Sequence, residues 1–282
     1  AVNICSLYER MGQFEKAYES LPKTLNIGIK SSPNEIEVRY YQRKSAWIII
    51  SQRNEQLKQE GIESLNTLSN LLFSHNEDNN PLWLWHYYNI KANLEEWNKN
   101  LEEGIENYKK CLSIPTLGAF EYGATFVNMA ITYRCKYIEQ EIKKIATINK
   151  SIKLGRLGLL LKQSVGEKDE MPVVLHNLAL NILYKISNTL IDVSLCNEVL
   201  DLTQEALEIL EKTKSIKRLG MVLIENFIVK DLLKISNKDI ALKLEAHLSN
   251  LGQSELNELL NIYKEFKKTN KIKSLEFLEK IL

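Results

Sequence analysis

The feature that most constrains this chain is the spacing of its apolar and small residues, which recur every three or four positions. The clearest run is Phe14, Ala17, Leu21 and Leu25. This spacing places the four side chains on one face of a helix. Small residues also recur at an interval of twelve, between Cys5 and Ala17 and again between Ala92 and Gly104. A fixed interval of this kind indicates repeated helical hairpins that cross at small side chains.

The sequence leaves little room for strands. It holds only 5 prolines and 11 glycines in 282 residues, and its long stretches are rich in helix formers. The nearest approach to an alternating strand pattern, Met171–Leu175, runs directly into a helical pattern, and Pro172 suits the first turn of a helix. We therefore predict an all-α fold.

The first hairpin carries a recognisable motif. Tyr8 is followed by Gly12, then Phe14, then Ala17. This order of aromatic, glycine, aromatic and alanine resembles a tetratricopeptide repeat (TPR). The resemblance implies a right-handed superhelical solenoid of about seven TPR-like hairpins, forming a single helical-repeat domain over residues 1–282.

The periodicity also predicts where the hairpins lie. After the first hairpin, helix pairs are expected at about 35–51 and 54–73, 120–137 and 139–163, 171–187 and 195–214, 215–236 and 238–251, and 253–268 and 272–282. The third hairpin is expected to carry Tyr88 and Ala92 on its first helix and Leu101 to Leu112 on its second, and to end at Pro115. The chain opens at Ala1 with a helical pattern already under way, so we expect it to be a fragment of a longer protein.

Composition narrows the classes of partner. The 37 basic residues balance 36 acidic ones, for a net charge of +1, whereas nucleic-acid binders usually carry a basic excess. No apolar run is long enough to cross a bilayer. The four cysteines (Cys5, Cys111, Cys135 and Cys196) are scattered through apolar helical contexts, which favours reduced thiols in a reducing cytoplasm. We expect no direct nucleic-acid or membrane partner, and self-association through the parent protein is left open.

Catalytic patterns are missing from the sequence. The four histidines stand alone, without a His-x-x-x-His pair or a Cys-x-x-Cys pair for a metal. The segment Gly155–Gly158 lies inside a helical pattern, so we interpret it as a close helix contact rather than a phosphate loop. We therefore expect no enzyme activity, no metal and no cofactor.

The resemblance also suggests a binding surface. In TPR proteins the first helix of each hairpin lines a concave face, and bacterial TPR peptide receptors use asparagines there to hold an extended peptide backbone. An amide both donates and accepts hydrogen bonds, which suits that task. The predicted ligand-binding residues are Asn89, Asn128 and Asn177, with Trp83 and His86 at the rim.

The expected function is a non-catalytic protein- or peptide-binding module. It would act as the sensor or scaffold arm of a larger intracellular bacterial protein, such as a signal-transduction NTPase, with phage defence as one setting. One alternative is the TPR domain of a peptide-pheromone receptor coupled to a transcriptional output. A second alternative is a catalytic accessory on a degenerate repeat scaffold.

Overall fold

A computed structural model of the chain describes residues 19–20, 33–51, 55–73, 80–213 and 219–248. Every regular element within these ranges is helical, so the all-α prediction is confirmed for this part of the chain. Apart from residues 19–20, the predicted first hairpin lies outside it, with Cys5 and Ala17, and so does the predicted seventh hairpin.

The described residues form ten α-helices, five of which come first in a hairpin and five second. They are α1 (Pro33–Ser51), α2 (Lys58–Phe73, after a 3-10 turn at Glu55–Leu57), α3 (Pro81–Trp97), α4 (Leu101–Leu112), α5 (Ala119–Glu139), α6 (Ile145–Ser164), α7 (Met171–Asn188), α8 (Val193–Thr213), α9 (Leu219–Leu232) and α10 (Lys238–Leu248).

Most of these boundaries match the periodicity to within a few residues, but the start of α6 does not. The sequence places it near Glu139, whereas Glu139 is still the last residue of α5 and α6 begins at Ile145. The Lys143 ammonium donates hydrogen bonds to the carbonyls of Tyr137 and Ile138. It thereby caps the last turn of α5, whose carbonyls have no partner within the helix.

Local side-chain chemistry explains several helix ends. The Asn80 side chain accepts a hydrogen bond of 3.0 Å from the amide of Leu82, and Pro81 occupies the first helical turn of α3. The Asp192 carboxylate accepts from the amides of Ser194 and Leu195 at the start of α8. Gly166 follows α6 with a φ of +69°, a conformation that glycine adopts without steric cost.

The chain divides into two compact units, Ala1–Glu121 and Tyr122–Leu282. In the first unit, α1 packs on α2 and α3 packs on α4, while α3 also contacts α1 and α2. The core of this unit joins α1, α2 and α3 through apolar side chains. Its buried members are Val38, Ile49, Leu65, Leu68, Leu72, Tyr87, Ile90 and Leu94.

The second unit, which contains almost all of α5, repeats this arrangement. Helix α7 packs on α6 and α8, and α9 packs on α8, α10 and α7. Helices α3, α7 and α9 therefore each contact the preceding hairpin as well as their own partner. Helix α7 is buried along nearly its whole length. The seven-hairpin solenoid and the single domain stay predictions.

Small residues lie where helices cross, as the interval of twelve predicts. Ala92 in α3 is fully buried, and a Cβ built on Gly104 of α4 would lie 3.4 Å from its carbonyl oxygen. Ala130 in α5 is also buried, and its carbonyl accepts a hydrogen bond of 2.7 Å from Ser151 of α6. Glycine in the segment Gly155–Gly158 serves close helix packing, which confirms that interpretation.

Candidate functional site

The predicted binding residues of the first unit all lie on α3, at intervals of three residues. Trp83 is half-buried and packs against the core of that unit, while Asn89 is buried, with 7% of its surface exposed. His86 is half-buried and faces α1, where its Nδ1 lies 3.5 Å from the amide nitrogen of Gln42. Trp83 and His86 are therefore partly accessible, and the neighbouring Trp85 is buried.

His86 is held in its neutral form. Desolvation by burial, together with the positive charge of Arg43, lowers the pKa of this imidazole to about 4. When Gln42 donates to Nδ1, the ring proton lies on Nε2. The neutral ring then keeps its Nε2 N–H as a donor, which suits an uncharged acceptor such as a peptide carbonyl.

The predicted residues of the second unit are placed differently. Asn128 of α5 is half-buried, whereas Asn177 of α7 is buried, with 8% of its surface exposed. The amide nitrogen of Asn177 donates to the carbonyl of Val173 at 2.8 Å, and its Oδ1 accepts from Arg134 at 3.1 Å. The Asn177 side chain thus already has a donor and an acceptor within the protein.

Arg134 of α5 is the centre of a polar cluster that the sequence pattern did not predict. Its guanidinium donates to the carbonyl and Oδ1 of Asn177 and to Oδ1 of Asn181, the last at 2.8 Å. We name Arg134, Asn177 and Asn181 the α5–α7 cluster. Arg134 and Lys136 are both basic residues near the end of α5, and nothing in the local pattern distinguishes Arg134 or identifies its partners.

A second buried pair joins α7 to α9. The Nδ1 atom of His176 lies 2.9 Å from Oε1 of Glu225, whose side chain is fully buried. Neither of these two atoms, nor the other carboxyl oxygen Oε2, has a hydrogen bond of acceptable geometry among the described residues. The contact is a close approach of two buried polar groups between α7 and α9. The sequence pattern assigns His176 no role.

The basic residues of the fourth hairpin are largely engaged within the protein. The Arg156 guanidinium donates two hydrogen bonds to the carboxylate of Glu198, and these bonds raise the pKa of Arg156. Lys162 is buried and donates to Glu170 at 2.7 Å. Lys150 lies 4.6 Å from the ring centre of Tyr133. These contacts leave a smaller basic surface than the residue count suggests.

The thiols and acidic groups form no recognisable metal centre in the described ranges. Cys111, Cys135 and Cys196 are free thiols, of which Cys111 and Cys196 are buried. Burial raises the pKa of Cys111 to about 12, so this thiol stays protonated at neutral pH. Within the described residues, no group of three or more His, Cys, Asp or Glu side chains is arranged to hold a metal ion. None of the described helices has the length and hydropathy needed to cross a membrane.

The two sequence comparisons with known proteins give no match. No family model matches the chain, and no curated protein matches it. Among solved structures, the crystal structure of the apo form of RapI aligns with 99% of this chain and 78% of its own, at 15% sequence identity and a TM-score of 0.43. A likeness at this level carries no argument about function, so the function of this chain is inferred from its own residues.

Proposed function

We propose that this chain is a non-catalytic binding module that holds a polypeptide against its first helices. The observation that carries this proposal is the lateral contact between consecutive first helices, α1 with α3 in one unit and α7 with α9 in the other. Such contacts place equivalent side-chain positions next to each other at regular intervals. An extended polypeptide presents its backbone groups at regular intervals too, so the two patterns can match.

In the first unit, the proposed contact residues are His86 and Trp83, with Gln42 beside the imidazole. Leu82, also on α3, exposes 40% of its surface. This combination of a neutral imidazole, an amide and apolar surface suits a peptide segment, because it offers both hydrogen-bonding groups and apolar contact area.

In the second unit, Asn128 is the proposed asparagine contact. Asn177 is a predicted contact as well, but a ligand that used its amide would have to replace the bonds to Val173 and Arg134. The Asn177→Ala variant therefore measures internal packing together with binding. Asn128→Ala removes the more accessible of the two asparagine side chains.

The test is a pull-down from host and phage lysates with the immobilised chain, followed by quantitative binding of the captured polypeptide. The variants are Trp83→Ala, His86→Gln and Asn128→Ala, and the matched control is Asn188→Ala, an exposed asparagine at the end of α7. Loss of one satisfied hydrogen bond should weaken binding by about 1–2 kcal/mol. If a captured polypeptide binds all three variants as tightly as the parent, the first-helix surface is the wrong one.

The finer role in this proposal is a sensor or scaffold arm of a larger bacterial protein, with the peptide-pheromone receptor as the alternative. A short secreted peptide as the captured ligand would favour the receptor. A folded host or phage protein would favour the sensor arm.

A further inference from the structure

Five large aliphatic side chains of the second unit protrude in or beside the loops that close its hairpins. Leu190 has 92% of its surface exposed, Ile142 79% and Val193 61%, while Ile191 and Ile235 are exposed to a lesser extent. We name these five residues the apolar edge. In the described part of this unit they are five of the nine exposed large hydrophobic residues. The apolar exposure is therefore concentrated rather than scattered.

The three loops that carry the apolar edge lie at the same end of the unit. Each loop follows a first helix (α5, α7 or α9), and these short connections make successive helices antiparallel. The α5–α7 cluster aligns α5 with α7, and the contact of His176 with Glu225 aligns α7 with α9. In this alignment the three first helices end within about two turns of each other. The apolar edge therefore runs along one side of the unit.

Lysines outnumber acidic residues around the apolar edge. The segments 136–144, 185–194 and 230–239 hold seven lysines and five acidic residues. Two of the acidic side chains are engaged within the protein, because Asp192 accepts hydrogen bonds from amides at the start of α8 and Asp239 pairs with a lysine of α9. The exposed lysines of these segments are Lys143, Lys144, Lys234 and Lys238.

The described loop at the opposite end of the unit has a different composition. This loop, residues 165–170 between α6 and α7, carries three acidic residues and one lysine. Val165 is its one large aliphatic residue, with 48% of its surface exposed. The two ends thus differ in charge as well as in apolar exposure.

This combination fits a bilayer with anionic lipids better than it fits another protein. A protein partner would need a separate pocket for the side chains of each loop, because interface anchors act when they are buried in well-packed pockets. A bilayer accepts protruding aliphatic side chains without a preformed pocket, and its anionic headgroups attract lysines near the surface. A second copy bound edge to edge would instead bring like charges together.

We propose that the apolar edge attaches this chain to a membrane surface that contains anionic lipids, with Ile142 and Leu190 as the main inserting residues. The expectation of no membrane partner rests on the length of the apolar runs, and attachment by loop side chains needs no membrane-spanning segment. The apolar edge lies at the helix ends, away from the proposed contact residues on the first helices. Membrane attachment and polypeptide binding can therefore be tested separately.

The test is co-sedimentation of the full chain with vesicles made of equal parts of phosphatidylcholine and phosphatidylserine, compared with vesicles of phosphatidylcholine alone. The test variant combines Ile142→Ser with Leu190→Ser. The matched control is Val165→Ser, which removes an exposed aliphatic side chain from the opposite end of the unit. Circular dichroism checks that both variants are folded. If the double variant loses its helical spectrum, Leu190→Ser alone replaces it.

The parent and the control should bind the vesicles that contain phosphatidylserine more tightly than the neutral vesicles. Increasing the concentration of sodium chloride should weaken this binding, because salt screens the attraction between lysines and headgroups. The partition coefficient of the double variant should be at least about tenfold lower than that of the parent, because two aliphatic side chains no longer transfer from water into the bilayer.

Three outcomes overturn the proposal. The first is that the parent binds neither kind of vesicle, or binds both equally. The second is that the serine variants at the apolar edge bind the anionic vesicles as tightly as the parent does. The third concerns self-association, measured by size-exclusion chromatography over a range of protein concentrations. If the parent forms a dimer that the double variant does not form, and does not bind vesicles, the apolar edge is an interface between copies of this chain.

Discussion

Gly158 of α6 packs directly against Gly123 of α5. A Cβ built on Gly158 would lie 3.0 Å from the carbonyl oxygen of Gly123, and 2.6 Å and 3.1 Å from the Cγ2 and backbone nitrogen of Val127. Two of these three neighbours are backbone atoms, which cannot move aside as the end of a flexible side chain can. The distance between α5 and α6 at this point therefore requires glycine.

Replacing Gly158 by alanine should lower the free energy of unfolding by about 1–3 kcal/mol, because the added methyl group overpacks the crossing. The gain in helix propensity, about 0.5–1 kcal/mol, is too small to offset this. Denaturant unfolding measures the difference. Gly104→Ala is the matched control, since its Cβ would meet Ala92 at 3.4 Å, and it should be neutral or slightly stabilising. Equal stability of the two variants would contradict the close contact at Gly158.

Replacing Ala92 by leucine tests the corresponding crossing in the first unit. Ala92 is fully buried at the contact with Gly104, so three additional carbon atoms have no space there. We expect a loss of about 1–3 kcal/mol in the free energy of unfolding. The measurement is the thermal midpoint by circular dichroism, and an unchanged midpoint would show that the α3–α4 crossing is looser than described.

Replacing either His176 or Glu225 alone should lower the free energy of unfolding. Replacing His176 by phenylalanine leaves the buried Glu225 side chain without its polar neighbour, and we expect a loss of about 1–3 kcal/mol in stability at neutral pH. The double variant His176→Phe with Glu225→Met should recover most of that loss, because it removes both polar groups. Denaturant unfolding of both variants and of Glu225→Met completes a double-mutant cycle. A coupling free energy near zero would refute the pairing.

His86 should make stability depend on pH. Its pKa is about 4 in the folded protein, against an ordinary value of 6.5 for the unfolded chain, so the unfolded chain binds more protons between these values. The stability that depends on a neutral His86 is therefore fully present above pH 6.5, and it is lost as the pH falls from 6.5 towards 4. The shift corresponds to about 3 kcal/mol. NMR titration of the His86 ring should give the low pKa. In the His86→Gln variant, the free energy of unfolding should fall by less between pH 6.5 and pH 4 than it does in the parent. A ring that titrates near 6.5 would overturn this prediction.

The sequence by itself determined the helices and most of their ends. Apolar spacing, the cap at Asn80 and the small residues Ala92 and Gly104 are local features, and each acts within one helix or between two helices adjacent in sequence. A pattern of period 3.6 identifies the buried face of a helix without reference to the rest of the chain. The fold class and the close crossings could therefore be predicted.

The tertiary structure alone decided what the polar side chains do. Asn177 was predicted to meet a ligand, yet it bonds to Arg134, a residue 43 positions earlier. His176 likewise meets Glu225 in another hairpin. Periodicity states that a polar residue lies on a given face, but it cannot state which distant residue lies opposite. That depends on the distance and rotation between neighbouring hairpins, which the packing of all their buried side chains sets together.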